Sequence, residues 1–246
     1  MIKLAALVSL IATLCFACMP AKFSQIDHRT TAERAEDRSV ALIKDDHARC
    51  AGVWLAHGRI LTAFHCIADA GKPPVNGEMD KALEMLGLSL PWDPVGQSIS
   101  YTDKAGSAVK PMTVYTAIID NVDVKYDLAI LHVTTWPLHH DYTQLSTRNI
   151  HDGNQVDVVG STAGLPFSYS HGYVGATRQG DDFKSFKVLQ VSAPIYFGNS
   201  GGGVFDMDGN LVGIADFVIF HAGFPVPCLG FAIHRDVIMS FLATVK

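Results

Sequence analysis

Residues 198–217 read GNSGGGVFDMDGNLVGIADF. Two short apolar runs, Gly202–Phe205 and Leu211–Asp216, flank Asp208-Gly209-Asn210, whose residue types favour a turn. The stretch therefore reads as two β-strands joined tightly. In front of them, Ser200 stands between Gly198 and the pair Gly201-Gly202. A nucleophilic serine needs an exposed side chain on a tight turn, backbone N–H groups converging on one point, and an open approach for a carbonyl. Glycines on both sides meet all three needs, because they take unusual dihedrals and let the backbone come close. A plain β-turn has the same look, so the chemistry has to be sought elsewhere in the chain as well.

A serine hydroxyl does not ionise unaided near neutral pH, so a base is required. His65 ends an apolar strand and is followed at once by Cys66. Asp127 opens the apolar run Asp127-Leu128-Ala129-Ile130-Leu131. A carboxylate there could accept a hydrogen bond from an imidazole, fix its tautomer and stabilise its cation. Taken singly, His65 is one of eleven histidines, and Asp127 is a charge at a strand edge.

The rest of the chain has the same β character. Ser39–Lys44 reads as a strand. AGVWLA and RILTAF, separated by His57-Gly58, read as a hairpin. Lys110–Asp120 and Leu128–Val133 follow as strands. Glu78–Leu86 has the pattern of a short helix stopped by Gly87. Thr134–Asn149 is polar and reads as a linker between two halves. Gln155–Gly160, Tyr173–Arg178, Lys184–Val191 and Leu229–Ile233 complete the strands of the second half. His234–Val245 has an amphipathic helical pattern. Strands at regular spacing with little helix between them point to a sandwich or barrel.

Composition bounds the rest. The 246 residues suffice for one large domain or two small ones, and 48% hydrophobic against 17% charged residues reads as globular. The net charge of −5 comes without any basic run, which leaves no footprint for nucleic acid. No Cys/His spacing reads as a zinc site, and no metal or cofactor is expected. Residues 1–19, MIKLAALVSLIATLCFACM, place Lys3 before an apolar run from Leu4 to Ala17. That run is short for a membrane span and suits a signal peptide over residues 1–18. The end of the run resembles a bacterial lipoprotein signal, in which Cys18 would be lipidated, and simple cleavage is the alternative. Residues 19–38 are polar and read as a tether. Cys228, in PVPCLG, reads as a buried or half-exposed free thiol.

Three segments resemble the trypsin-like (chymotrypsin-fold) serine peptidases, in that family's order of His, Asp, Ser. They are LTAFHC at His65, YDLAILHV at Asp127 and the serine stretch at Ser200. The last, with GSTAGLPFSYSHGYVG and LGFAIHRD, looks most like the bacterial HtrA-type branch. Phe64 departs from the usual alanine of the histidine motif. The resemblance implies an all-β peptidase domain over residues 39–240, made of two six-stranded antiparallel Greek-key β-barrels. The first would span about 39–135 and the second about 150–233, with a C-terminal helix over 234–246. It implies a catalytic triad of His65, Asp127 and Ser200, an oxyanion hole from the N–H groups of Gly198 and Ser200, and a disulfide between Cys50 and Cys66. The activity implied is an exported serine endopeptidase acting on polypeptides through an acyl-enzyme. The chain would be periplasmic, extracellular or lipid-anchored through Cys18.

Matched onto the family, the specificity pocket would be lined by Pro194, Ile195, Ile214, Ala215, Asp216 and Phe231. No acid stands at its floor, so a preference for basic residues is not expected. Small or aliphatic side chains fit better. The sequence ends about 46 residues past Ser200, so the peptide-binding (PDZ) domain usual in the HtrA branch is expected to be missing and the protein to act as a monomer. The competing readings are a catalytically inactive binding module on the same fold and an esterase using the same chemistry.

Overall fold

The computed structural model describes residues 29–71, 94–108, 111–133, 141–179 and 184–245. The expected signal peptide with Cys18, and the helix expected at Glu78–Leu86, lie outside these residues. The chain enters through helix α1 (Thr31–Asp37). Strands β1 (Ser39–Lys44), β2 (His47–Leu55), β3 (Arg59–Ala63) and β4 (Ser98–Asp103) follow, then a single helical turn, α2 (Lys104–Ser107), and strands β5 (Tyr115–Asp123) and β6 (Leu128–His132). The second half holds β7 (Gln155–Gly160), β8 (Ser168–Arg178), β9 (Val188–Val191), β10 (Gly203–Phe205), β11 (Leu211–His221) and β12 (Phe224–His234), and ends in helix α3 (Arg235–Leu242).

The strands close into two antiparallel barrels, in the orders β1-β2-β3-β6-β5-β4 and β7-β8-β9-β12-β11-β10. The two halves thus repeat one topology. Successive residues of a strand point to opposite faces, and in β2, β3, β6, β7 and β10 both faces are largely buried. Trp54, Ile60, Ala129 and Leu131 fill the first barrel. Their sequence neighbours Val53, Leu61, Leu128 and Ile130 turn outward into a core shared with Val159, Phe205, Ile214 and Phe231 of the second barrel. Val158, Val204, Val212 and Ala232 fill that second barrel. This arrangement explains why the strands read as continuous apolar runs rather than as alternation. The β2–β3 turn, Ala56-His57-Gly58, includes the expected His57-Gly58, both with positive φ.

Two segments read as loose are folded. Residues 29–38, expected to be part of a tether, carry α1. Its capping box joins Thr30 and Glu33, and its buried Ala35 enters the shared core. The end of the expected linker is pinned as well. The Thr143 N–H donates to the Trp54 carbonyl at 2.8 Å, and the Ser146 N–H donates to that of Leu211 at 2.9 Å. Strand β4 had no counterpart in the sequence reading, because SISYTD is mostly polar. Its buried end is Tyr101, Thr102 and Asp103. Helix α3 packs Val237, Ile238 and Phe241 into the shared core, with the His234 side chain capping its start by accepting the Asp236 N–H. Among the described residues no helix is long and apolar enough to cross a membrane.

Candidate active site

A 3₁₀ turn at Phe64–Cys66 ends β3. It is fastened from two sides. A disulfide joins Cys66 to Cys50 of β2, and the β5–β6 turn holds it through Asp127. Asp127 has φ of 56°, a left-handed conformation that aspartate tolerates better than most residues. That backbone aims both ends of the residue at the histidine turn. The Phe64 N–H donates to the Asp127 carbonyl at 3.0 Å. The His65 N–H donates to Oδ1 at 2.9 Å, and His65 Nδ1 lies 2.7 Å from Oδ2. A carboxylate can only accept, so Nδ1 carries the hydrogen and Nε2 is left with its lone pair.

The electrostatics follow from these contacts. The hydrogen bond that His65 donates to Asp127 raises the His65 pKa above its ordinary value, although burial opposes this. Burial also works against the Asp127 charge, yet the hydrogen bonds and charge of His65 outweigh it and hold the carboxyl low. Asp127 is 15% exposed and His65 45%, so the pair is covered on the carboxylate side and open on the imidazole side.

Ser200 comes from the second barrel. Gly198 has φ of 96°, and the Asn199 N–H donates to the Tyr196 carbonyl at 3.0 Å. The buried Asn199 side chain accepts from Thr162 Oγ1 at 2.7 Å, which locks the turn from below. The Ser200 carbonyl accepts the N–H of Ala51 at 2.9 Å, a bond that crosses between the barrels. Cys66 Sγ lies 3.5 Å from the same oxygen. A Cβ on Gly201 would stand 2.2 Å from the Ala51 carbonyl, so only glycine allows this approach. Ser200 Oγ donates to the Asp216 carbonyl at 3.2 Å. His65, Gly198 and Ser200 line one open cavity of about 490 Å³, with Cys50, Ala163 and Phe197 on its walls. The structure thus places His65 and Ser200 on one cleft between the barrels, with Asp127 bonded to His65.

The residues expected to line a specificity pocket differ widely in exposure. Ile214 and Phe231 are 0% and 1% exposed in the shared core, and Ala215 is 0% exposed. Buried on both faces, these residues do not line an open pocket. Asp216 is buried too, and its carboxyl turns toward the triad and Lys184. Pro194 is exposed and Ile195 half-buried. Ile195 packs where a Cβ on Gly230 would be, 2.7 Å away. Phe197, 60% exposed and in ring contact with Tyr196 and Phe220, stands at the cavity instead. Neither it nor Asn199 and Thr162 was singled out from sequence, although Asn199 and Thr162 lie in stretches that resembled the family and Phe197 directly precedes one. Cys228 is on β12 and exposed rather than buried or half-exposed.

The profile of the trypsin-like peptidase domain family matches residues 50–214. The chain belongs to this family. Serine protease HTRA1B of Danio rerio is 30% identical over 141 residues, 55% of this chain and 28% of that protein. A probable periplasmic serine endoprotease, DegP-like, of Buchnera aphidicola is 26% identical over 133 residues, 53% of this chain and 28% of that protein. The chain therefore spans under a third of the length of these relatives. The structure of the HtrA-type protease AlgW with tripeptide superposes with a TM-score of 0.64 at 20% identity, over 87% of this chain and 62% of that one. That likeness carries the fold: two chymotrypsin-like barrels and a C-terminal helix.

Proposed function

We propose that this chain is an exported serine endopeptidase that hydrolyses peptide bonds through an acyl-enzyme. The observation that carries the reading is the His65–Asp127 pair at 2.7 Å, fastened by further backbone bonds, at the mouth of the cleft that Ser200 lines. In the reaction, Ser200 Oγ leaves the Asp216 carbonyl, gives its proton to His65 Nε2 and attacks the substrate carbonyl. The N–H groups of Gly198 and Ser200 take the oxyanion. His65 then protonates the leaving amine, the substrate C–N bond breaks, and water activated by His65 releases the acyl group. Asp127 keeps the imidazole oriented and its cation stabilised. The half-buried Ile195 and the aromatic rim at Phe197 favour small or aliphatic side chains in the substrate.

Export is supported by the signal-like residues 1–18 and by the Cys50–Cys66 disulfide, a bond that persists in oxidising compartments. Mass spectrometry of the mature N-terminus distinguishes a lipidated Cys18 from simple cleavage. The test of the activity is labelling by a fluorophosphonate probe. Wild type labels at Ser200 and Ser200→Ala does not. A folded wild type that never labels would overturn the proposal in favour of an inactive binding module.

A further inference from the structure

Strand β11 pairs with β12 through Ala215↔Ala232 and Phe217↔Phe231, so Asp216 is the extra, unpaired residue of a bulge. Bulges re-aim side chains, and this one turns an acid inward. The Asp216 carboxylate is 3% exposed, and Lys184 Nζ lies 3.5 Å from its Oδ2. One of its oxygens lies within 4.8 Å of an Asp127 carboxylate oxygen and of a His65 ring nitrogen. Its backbone carbonyl meanwhile holds the Ser200 hydroxyl at 3.2 Å. One residue thus reaches all three members of the triad.

We propose that Asp216 is a positioning residue, whose carboxyl, with Lys184 behind it, sets the pH at which His65 becomes able to accept a proton. The inference rests on the reading of His65 as the general base. Two carboxyl groups this close in a dry site do not both ionise freely. Asp127 is committed to its charge by the bonds from His65, so Asp216 is the one that keeps a proton. Burial raises the Asp216 pKa, Lys184 pulls it back and the Asp127 charge raises it again, to about 6 in all. When protonated, Asp216 can donate to Asp127 and hold it in place. When ionised, it adds a negative charge beside His65 and favours the imidazolium, while Lys184 opposes that effect. The ammonium is seated over the rings of Phe186 and Phe217, 5.8 and 5.3 Å from their centroids. Of the flanking strands, β10 carries no titratable side chain. On β12, His234 pairs with Gly213 at one end, and Cys228 is exposed toward the other.

The test compares wild type with Asp216→Asn, Asp216→Ala and the double variant Asp216→Asn/Lys184→Met. Its readouts are kcat/KM against pH on a peptide substrate and the His65 titration followed by NMR of the ring, which needs no turnover. Circular dichroism establishes that each variant is folded. Asp216→Asn keeps a donor and removes the charge, so both the His65 titration and the acidic limb of activity move to lower pH, by about one unit. Lys184→Met in the Asp216→Asn background, where no carboxyl remains to be reprotonated, moves them to higher pH. Asp216→Ala loses about tenfold or more in kcat with KM little changed, as expected for a lost interaction made in the transition state, and Asn restores most of it. An active enzyme whose His65 titration ignores both charge changes, or shifts the same way in both, would overturn the inference and leave the peptidase reading intact. Opposite shifts of His65 in a protein that never labels would do the reverse.

Discussion

The carbonyl of Gly198 accepts the N–H of Ser161 at 3.2 Å, and a Cβ on Gly198 would stand 2.0 Å from the Ser161 carbonyl oxygen. The turn that presents Ser200 is therefore held against the β7 end by backbone contact with no room for a side chain. Gly198→Ala combines that clash with a positive φ, and it displaces the N–H proposed above to take the oxyanion. The rate of fluorophosphonate labelling should fall by about 100-fold or more. Labelling at the wild-type rate would show that the Gly198 peptide does not take part.

Activity should depend on pH through His65. The Asp127 hydrogen bond raises its pKa above 6.5, and the imidazole must be neutral to act as base. The acidic limb of kcat/KM therefore lies above pH 6.5, and activity is lost as pH falls through it. Asp127→Asn cannot hold the same tautomer, and kcat should drop by about 10⁴-fold. A pH profile of both proteins checks the two statements together.

The Cys50–Cys66 disulfide closes a short loop, with a sequence separation of 16. Its loss should cost about 3 kcal/mol of stability. Because Cys66 adjoins His65, Cys50→Ala/Cys66→Ala should also lose activity at temperatures where it remains folded. Thermal melts with and without reductant, run beside an activity assay, separate the two effects.

Ile195 fills the space beside Gly230, where an added Cβ would stand 2.7 Å from the Ile195 Cβ. Ile195→Ala should shift the preferred substrate side chain toward larger apolar residues. A change of roughly tenfold in relative kcat/KM is in the range of one or two methylene groups. A peptide-library cleavage profile reads this directly, and an unchanged profile would place the specificity pocket elsewhere.

The buried Asp216 also has a stability signature. Its pKa is raised from 3.8 to about 6 on folding, so between those values the folded state holds a proton that the unfolded chain has released. Stability from this group is present below about pH 4 and lost as pH rises through 6. Asp216→Asn removes that loss. Its melting temperature relative to wild type should be higher at pH 8 than at pH 4, and a gap independent of pH would argue against a buried titrating acid.

Much of this was legible in the sequence, for local reasons. His65 and Asp127 each sit beside their strand and turn, and short motifs record such neighbourhoods. The pocket was not legible, because β11 is buried on both faces. With Val212 inside its barrel and Ile214 between the barrels, no polar alternation marks the phase of the strand. The bulge at Asp216 then shifts that phase by one residue. Helix α1 was hidden for the opposite reason: it is polar nearly throughout, and only Ala35 is buried. Composition cannot report a helix that is anchored by one small residue and a capping box.

The bond from the Ala51 N–H to the Ser200 carbonyl has a consequence for how activity is acquired. The peptide of Ser200, the proposed nucleophile, is a seam between the barrels, and β2 must arrive before that peptide is fixed. Each barrel has its own interior and can form its strand ladder first, but neither contains a competent serine. During refolding, the labelling of Ser200 proposed above should therefore return with the joining of the barrels rather than with the β-sheet signal.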